Sequence, residues 1–205
     1  MNRYACLAAA LAGLALAAGP PLATAQEAQE VHPGNEAFDP DAAEASLSEL
    51  LDRLFGRLHS AGDADQAKLI EQAIWKVWSR SDSPSAELLL AQAEKAMRAR
   101  AFPSALAILD TVIDLKPDFA EAWNKRATTY YLMRRFDQSL ADIDQVLELE
   151  PRHFGALAGR GLILRELGKD REALEAYRRA LAIHPNMPGP KKAVRELGAE
   201  IEQEI

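Results

Sequence analysis

Cysteine is nearly absent from the chain, with Cys6 the only one in 205 residues. An internal disulfide is therefore impossible, and no thiolate metal site or thiol nucleophile can be built from the later residues. Serine nucleophile signatures are missing too, since neither Gly-x-Ser-x-Gly nor Ser-x-x-Lys occurs. The four histidines, His32, His59, His153 and His184, include no His-Glu-x-x-His pair, so packing or surface roles suit them better than metal ligation. The glycines of "GALAGRG" (155–161) match neither the phosphate-loop nor the dinucleotide spacing. Basic excess is also lacking: 24 Lys and Arg face 31 Asp and Glu, a net charge of −7. Such a chain repels phosphate backbones, which argues against a nucleic-acid partner. These absences together predict a protein that is not an enzyme and that needs no cofactor or metal.

Long apolar runs are confined to the first residues. Arg3 precedes an apolar stretch from Tyr4 to Ala18, followed by two prolines and the small residues Ala23, Thr24 and Ala25. This pattern predicts a signal peptide over 1–25, cleaved after Ala25, and hence export to the periplasm. The stretch is shorter than the roughly 20 residues that a membrane span needs, and no later segment is a transmembrane candidate. Cleavage removes Arg3, one of the 24 basic residues, and moves the net charge from −7 to −8. Residues 26–43 are acidic, broken by Pro33, Gly34 and Pro40, and too poor in apolar groups to bury a core, which predicts a flexible leader.

Helical spacing begins after residue 44. Leu47, Leu50, Leu51, Leu54, Phe55 and Leu58 recur at steps of three and four, then Gly62 and Asp63 interrupt. A second apolar series, Ala67, Ile70, Ile74, Trp75 and Trp78, completes a helical hairpin over 44–81, capped at Asp63 or Asp65. In the loop that follows, Ser83 suits an N-cap and Pro84 a first helical residue.

From residue 86 the sequence repeats every 34 residues. Leu89, Trp123 and Leu157 align, as do Ala93, Ala127 and Gly161, and also Ala105, Ser139 and Ala173. Leu109, Ile143 and Tyr177 form another apolar column, and Pro117, Pro151 and Pro185 close the units. Each unit reads as two helices. In the middle unit a first helix over about 119–133 opens on an Asp118-x-x-Glu121 capping box, and a second, capped by Asp137, runs to about Glu150. Paired small residues (Ala127 with Ser139, Gly161 with Ala173) let the two backbones approach closely. Arg126 and Asp142 are placed to pair across the hairpin, whereas Ala176 stands where a partner for Arg160 would recur. A last helix from near Pro190 carries Ala193, Val194, Leu197 and Ile201 on one side and closes the stack over 188–205.

The stretch "AEAWNKRATTYYLMRRFDQSLADIDQVLELEP" (120–151) resembles a tetratricopeptide repeat, with Trp123, Ala127, Tyr130, Ser139, Val146 and Pro151 at its signature places. Units 86–119, 120–153 and 154–187 all fit, and 44–81 is a degenerate repeat or N-terminal cap. The resemblance implies an all-α, right-handed solenoid whose concave groove holds a peptide from a partner protein. On that basis Glu87, Leu90, Glu94 and Met97 line the groove in the first unit. Glu121, Asn124, Lys125, Thr128 and Tyr131 follow in the second, with Gly155, Ala158, Leu162 and Arg165 in the third. Asn124 offers an amide to an extended backbone, Tyr131 a flat face, and Arg165 a fork for a carboxylate. Some modules of this family clamp a C-terminal carboxylate. The matching positions here are Leu90, Glu94, Lys125, Gly155 and Gly159, which lack the required residues. The expected function is that of an exported adaptor or scaffold for a protein partner, serving envelope assembly or secretion. The alternative is a self-assembling structural protein with Trp75 and Trp78, or the last helix, at a subunit seam.

Overall fold

The computed structural model describes residues 40–203, with side chains from Leu47 onward. The expected signal segment and all but the end of the leader lie outside the described residues. Nine α-helices and no strands occur among the described residues: α1 (Pro40–His59), α2 (Ala64–Trp78), α3 (Pro84–Arg98), α4 (Phe102–Leu115), α5 (Ala120–Leu132), α6 (Phe136–Leu149), α7 (Phe154–Glu166), α8 (Asp170–Ile183) and α9 (Pro188–Gln203). The protein is all-α, built from stacked helical hairpins.

Local chemistry sets most helix ends. Asp63 accepts the Gln66 N–H at 2.7 Å and starts α2, while Ser83 accepts from Ala86 and Pro84 opens α3. Helices α4, α6 and α8 each stop two residues before Pro117, Pro151 or Pro185, because the residue before a proline is pushed out of helical geometry. Inside each repeat the turn rests on one residue in the left-handed region: Arg100 (φ 57°), Arg134 (φ 57°) and Gly168 (φ 69°). The following N–H in each case, from Ala101, Arg135 and Lys169, bonds a carbonyl five residues back at 2.9 Å.

Three local expectations are corrected. Asp118 and Glu121 form no capping box: Asp118 pairs with Lys116 at 3.0 Å and Glu121 turns inward. Arg135, rather than Asp137, occupies the N-cap place of α6, and it makes no side-chain cap. The last helix starts at Pro188 instead of Pro190, which lies buried within its first turn.

Helices α3–α4, α5–α6 and α7–α8 pair closely through small residues. Ser139 donates its hydroxyl to the Ala127 carbonyl at 2.7 Å. A Cβ on Gly161 would come within 2.7 Å of the Tyr177 ring, so only glycine admits that ring. Successive pairs share an apolar spine: Phe119, at the N-cap of α5, and Ala122 of α5 pack on Leu109, Val112 and Ile113 of α4. Arg126 reinforces the joint, donating to both Asp142 carboxylate oxygens at 2.8 Å and to Asp110 of the preceding repeat at 2.8 Å. Arg160, one period later, reaches Asp144, but its Nε is buried without a partner where Ala176 replaces aspartate.

The α1–α2 hairpin does not extend the stack as a preceding repeat or cap. Its own core of Leu54, Phe55, Leu58, Ile70, Ile74 and Trp78 closes around Phe154 of the third repeat, with Ile183 and Met187 against it. Trp78 lies flat on His153, ring centroids 4.1 Å apart and nearly parallel. Arg152 joins Asp52 at 2.5 Å and covers the Phe55 ring, and Asn186 donates to the Ala61 carbonyl at 3.4 Å. Sequence columns explain the choice. Were the hairpin a repeat, Lys76 would fall in the column of Asp110 and Asp144 and Gln92 in that of Arg126 and Arg160, so the ion pair that links later repeats could not form there.

Candidate functional site

Helices α3, α5 and α7 present the inner-wall columns 87/121/155, 90/124/158, 94/128/162 and 97/131/165. Their N-terminal part is already engaged. Trp75 of α2 packs on α7 so closely that a Cβ on Gly155 would lie 2.7 Å from its ring. Its indole edge meets His153 and Phe154, its N–H donates to Glu71, and Lys125 stands over the ring at 5.8 Å. Trp78 is buried and Trp75 half-buried in the chain's own packing, which corrects their assignment to a subunit seam.

Beneath Trp75 runs a buried polar chain. His153 is fully enclosed; its Nδ1 accepts the Ala156 N–H at 3.0 Å, which leaves Nε2–H to donate to Glu121 at 3.3 Å. Glu121, 1% exposed, also accepts from Asn124 at 3.0 Å and pairs with Lys125 at 2.9 Å, and Lys125 continues to Glu94 at 2.9 Å. Burial alone pushes the Glu121 carboxyl up. The His153 hydrogen bond and the Lys125 charge override it and hold the group below its ordinary range. Burial likewise opposes charge on Lys125, yet Glu121 and Glu94 keep its pKa raised. A second contact, His184 with Glu71 at 3.4 Å, lowers Glu71 against the cost of burial.

Several expected groove residues are therefore committed elsewhere. Leu90 is 3% exposed and belongs to the spine with Phe119 and Ala122. Glu121 and Asn124 are buried, and the Asn124 amide donates to Glu121 instead of awaiting a backbone. Glu87 accepts the Ser81 N–H at 2.6 Å and anchors the segment between α2 and α3. Glu94 and Lys125 neutralise each other, and Arg165 is paired with Glu196 of α9 at 3.1 Å. The fork intended for a ligand carboxylate is thus occupied by the chain itself. Met97 is half-buried against the first-repeat core.

Thr128, Tyr131 and Leu162 remain on an open surface. They border a cleft of about 260 Å³ between α5, α6 and α7, with Ile143, Gly159 and Ile163 in its walls and Asn124 and Gly155 at the end nearest Trp75. Gly159 contributes by having no side chain: an added Cβ would touch Ile143 at 3.7 Å and narrow the opening. The walls are largely apolar, and no unpaired cation faces the space among these lining residues. The arrangement can take up an apolar side chain, while the Thr128 hydroxyl bonds the Asn124 carbonyl within its own helix. Sequence spacing found the column but not the docked hairpin that shortens it. Trp75 and Gly155 were the available signal, a bulky ring in one segment and a missing side chain in the other.

Among the described residues no cluster of three His, Asp or Glu side chains is placed to hold a metal ion, and no helix is long and apolar enough to cross a membrane. A tetratricopeptide repeat family model matches residues 124–188. A TPR repeat-containing protein of Rhizobium etli is 43% identical over 143 residues, covering 70% of this chain and 70% of its own. The small glutamine-rich tetratricopeptide repeat-containing protein 2 of Mycosarcoma maydis is 28% identical over 116 residues, 57% of this chain but only 33% of that protein. Among solved structures, the first TPR of Spaghetti bound to an HSP90 peptide superposes with a TM-score of 0.56 at 22% identity, over 59% of this chain and 96% of that one.

Proposed function

We propose that this chain, which belongs to the tetratricopeptide repeat family, is an exported adaptor that holds an apolar segment of a partner protein in the cleft between α5 and α7. Protein–protein interaction is what such repeat modules serve, and the observation that carries the finer reading is the open apolar cleft at Thr128, Tyr131 and Leu162. A cleft of this size accepts one or two side chains of an extended or helical segment. The Spaghetti domain is described with an acidic HSP90 peptide. Here Lys125 and Arg165 are already neutralised by Glu94, Glu121 and Glu196, so an acidic terminus finds no free partner.

The N-terminal Arg3, the apolar run and the Ala23-Thr24-Ala25 site support export to the periplasm and a role in envelope assembly or secretion. Mass spectrometry of the exported protein tests the address, with a start at Gln26 expected and an intact Met1 contradicting it. Retention of envelope proteins on wild-type, Leu162→Asp and Thr128→Arg protein tests the cleft. A partner held by wild type and lost by both variants supports the proposal. An identical retained set for all three overturns it.

A further inference from the structure

The two ends of the repeat stack differ. At the C-terminal end α9 covers α8, and its outward side carries Lys191, Lys192, Arg195 and Glu202, a solvated finish. At the N-terminal end the α1–α2 hairpin would be the natural cover, but it is folded on the third repeat, and among the described residues nothing covers the outer side of α3. The column 88/122/156 measures the consequence. Ala122 is fully buried under α4 and Ala156 is 1% exposed under α6, whereas Leu88 is 62% exposed.

The stripe around Leu88 is chemically unlike the rest of this acidic surface. Pro84, Ser85, Leu88, Ala91, Gln92 and Ala99 are all exposed, with Lys95 the charge among them and Arg98, equally exposed, at their border. The carboxylates of α3, Glu87 and Glu94, lie on the inner wall instead. Gln92 also stands in the column of Arg126 and Arg160, the arginines that reach back to Asp110 and Asp144. The first repeat thus lacks the ionic hook by which later repeats grip a predecessor, and it substitutes a strip free of carboxylates, centred on Leu88.

We propose that this face of α3 is a homodimer interface, packed on the same face of a second copy about a two-fold axis. The position continues an interface that the molecule already uses twice, α4 on α5 and α6 on α7, one period earlier. Two chains of net charge −7 meet most readily where neither presents a carboxylate, and this strip presents none. Head-to-tail stacking would set the strip against the charged side of α9, so the association closes as a pair and does not grow into a filament. Leucine in place of alanine holds the partner helix farther out than α4 stands from α5.

Sedimentation equilibrium of the purified protein tests the assignment. The mass is expected to rise with concentration and level at twice the chain mass. Leu88→Glu is expected to stay monomeric with an unchanged melting curve, while Leu69→Glu, at an equally exposed leucine of α2, still dimerises. In a Cys6→Ser background, mild oxidation of the Leu88→Cys variant should give a covalent dimer. A monomer at every concentration overturns the proposal, whether the introduced thiol reacts freely with maleimide or is shielded by another part of the chain. Dimers insensitive to Leu88→Glu, or masses that pass beyond two chains, overturn it as well.

Discussion

At the scale of single residues, Arg126 and Glu121 carry the polar architecture. Arg126 binds three helices at once because a guanidinium presents a planar fork of donors. Its pairing with Asp142 was legible in the sequence, while Asp110 was not, because that partner belongs to the preceding repeat. Asp142→Ala leaves a mostly buried cation with one exposed partner, and it is expected to cost about 2 kcal/mol, read as a lower melting temperature. An unchanged melt would remove the pair from the stability of the stack. Glu121 makes a pH prediction. Its folded pKa lies below the ordinary 4.5, so the folded protein binds fewer protons than the unfolded chain in that range. The stabilisation is complete above about pH 4.5 and disappears as pH falls through the folded value. Wild type is therefore expected to melt above Glu121→Gln at neutral pH, with the gap narrowing as pH falls below about 4.5. A gap constant over that range would show that the ionised form of Glu121 adds nothing.

At the scale of elements, the turn inside each repeat asks for a left-handed residue and receives glycine only in the third. An L-residue loses roughly 1–2 kcal/mol in that conformation, part of which glycine returns as added freedom in the unfolded chain. Arg100→Gly is therefore expected to stabilise by about 0.5–1 kcal/mol, seen as a rise of a few degrees in the melting temperature. A fall would mean that the exposed Arg100 side chain matters more than its backbone. The helices themselves were legible because apolar spacing and proline stops are local signals, as Pro117, Pro151 and Pro185 illustrate. Asp118 misled because a cap signature carries no record of what the other face of a helix must bury. Glu121 was drawn inward by His153, a residue 32 positions away.

At the scale of the whole molecule, the decisive arrangement is the hairpin laid on the third repeat. Sequence spacing showed a hairpin but not its destination, because Trp78 on His153 and Trp75 on Gly155 are contacts across about eighty residues. That placement has two effects. It fills the N-terminal part of the inner wall, leaves the cleft at Thr128, Tyr131 and Leu162 open, and leaves the Leu88 side of α3 uncovered among the described residues. The candidate site was therefore half legible: Thr128, Tyr131 and Leu162 line open space, whereas Leu90, Glu121 and Asn124 are interior. The most direct test is a nuclear magnetic resonance titration with an apolar peptide from the retained partner, following the indole N–H signals of Trp75 and Trp78 with the signals of Thr128, Gly159 and Leu162. The account predicts that the cleft residues shift while both indoles stay in place. Movement of the indoles to solvent-exposed positions, with the cleft unaffected, would contradict it.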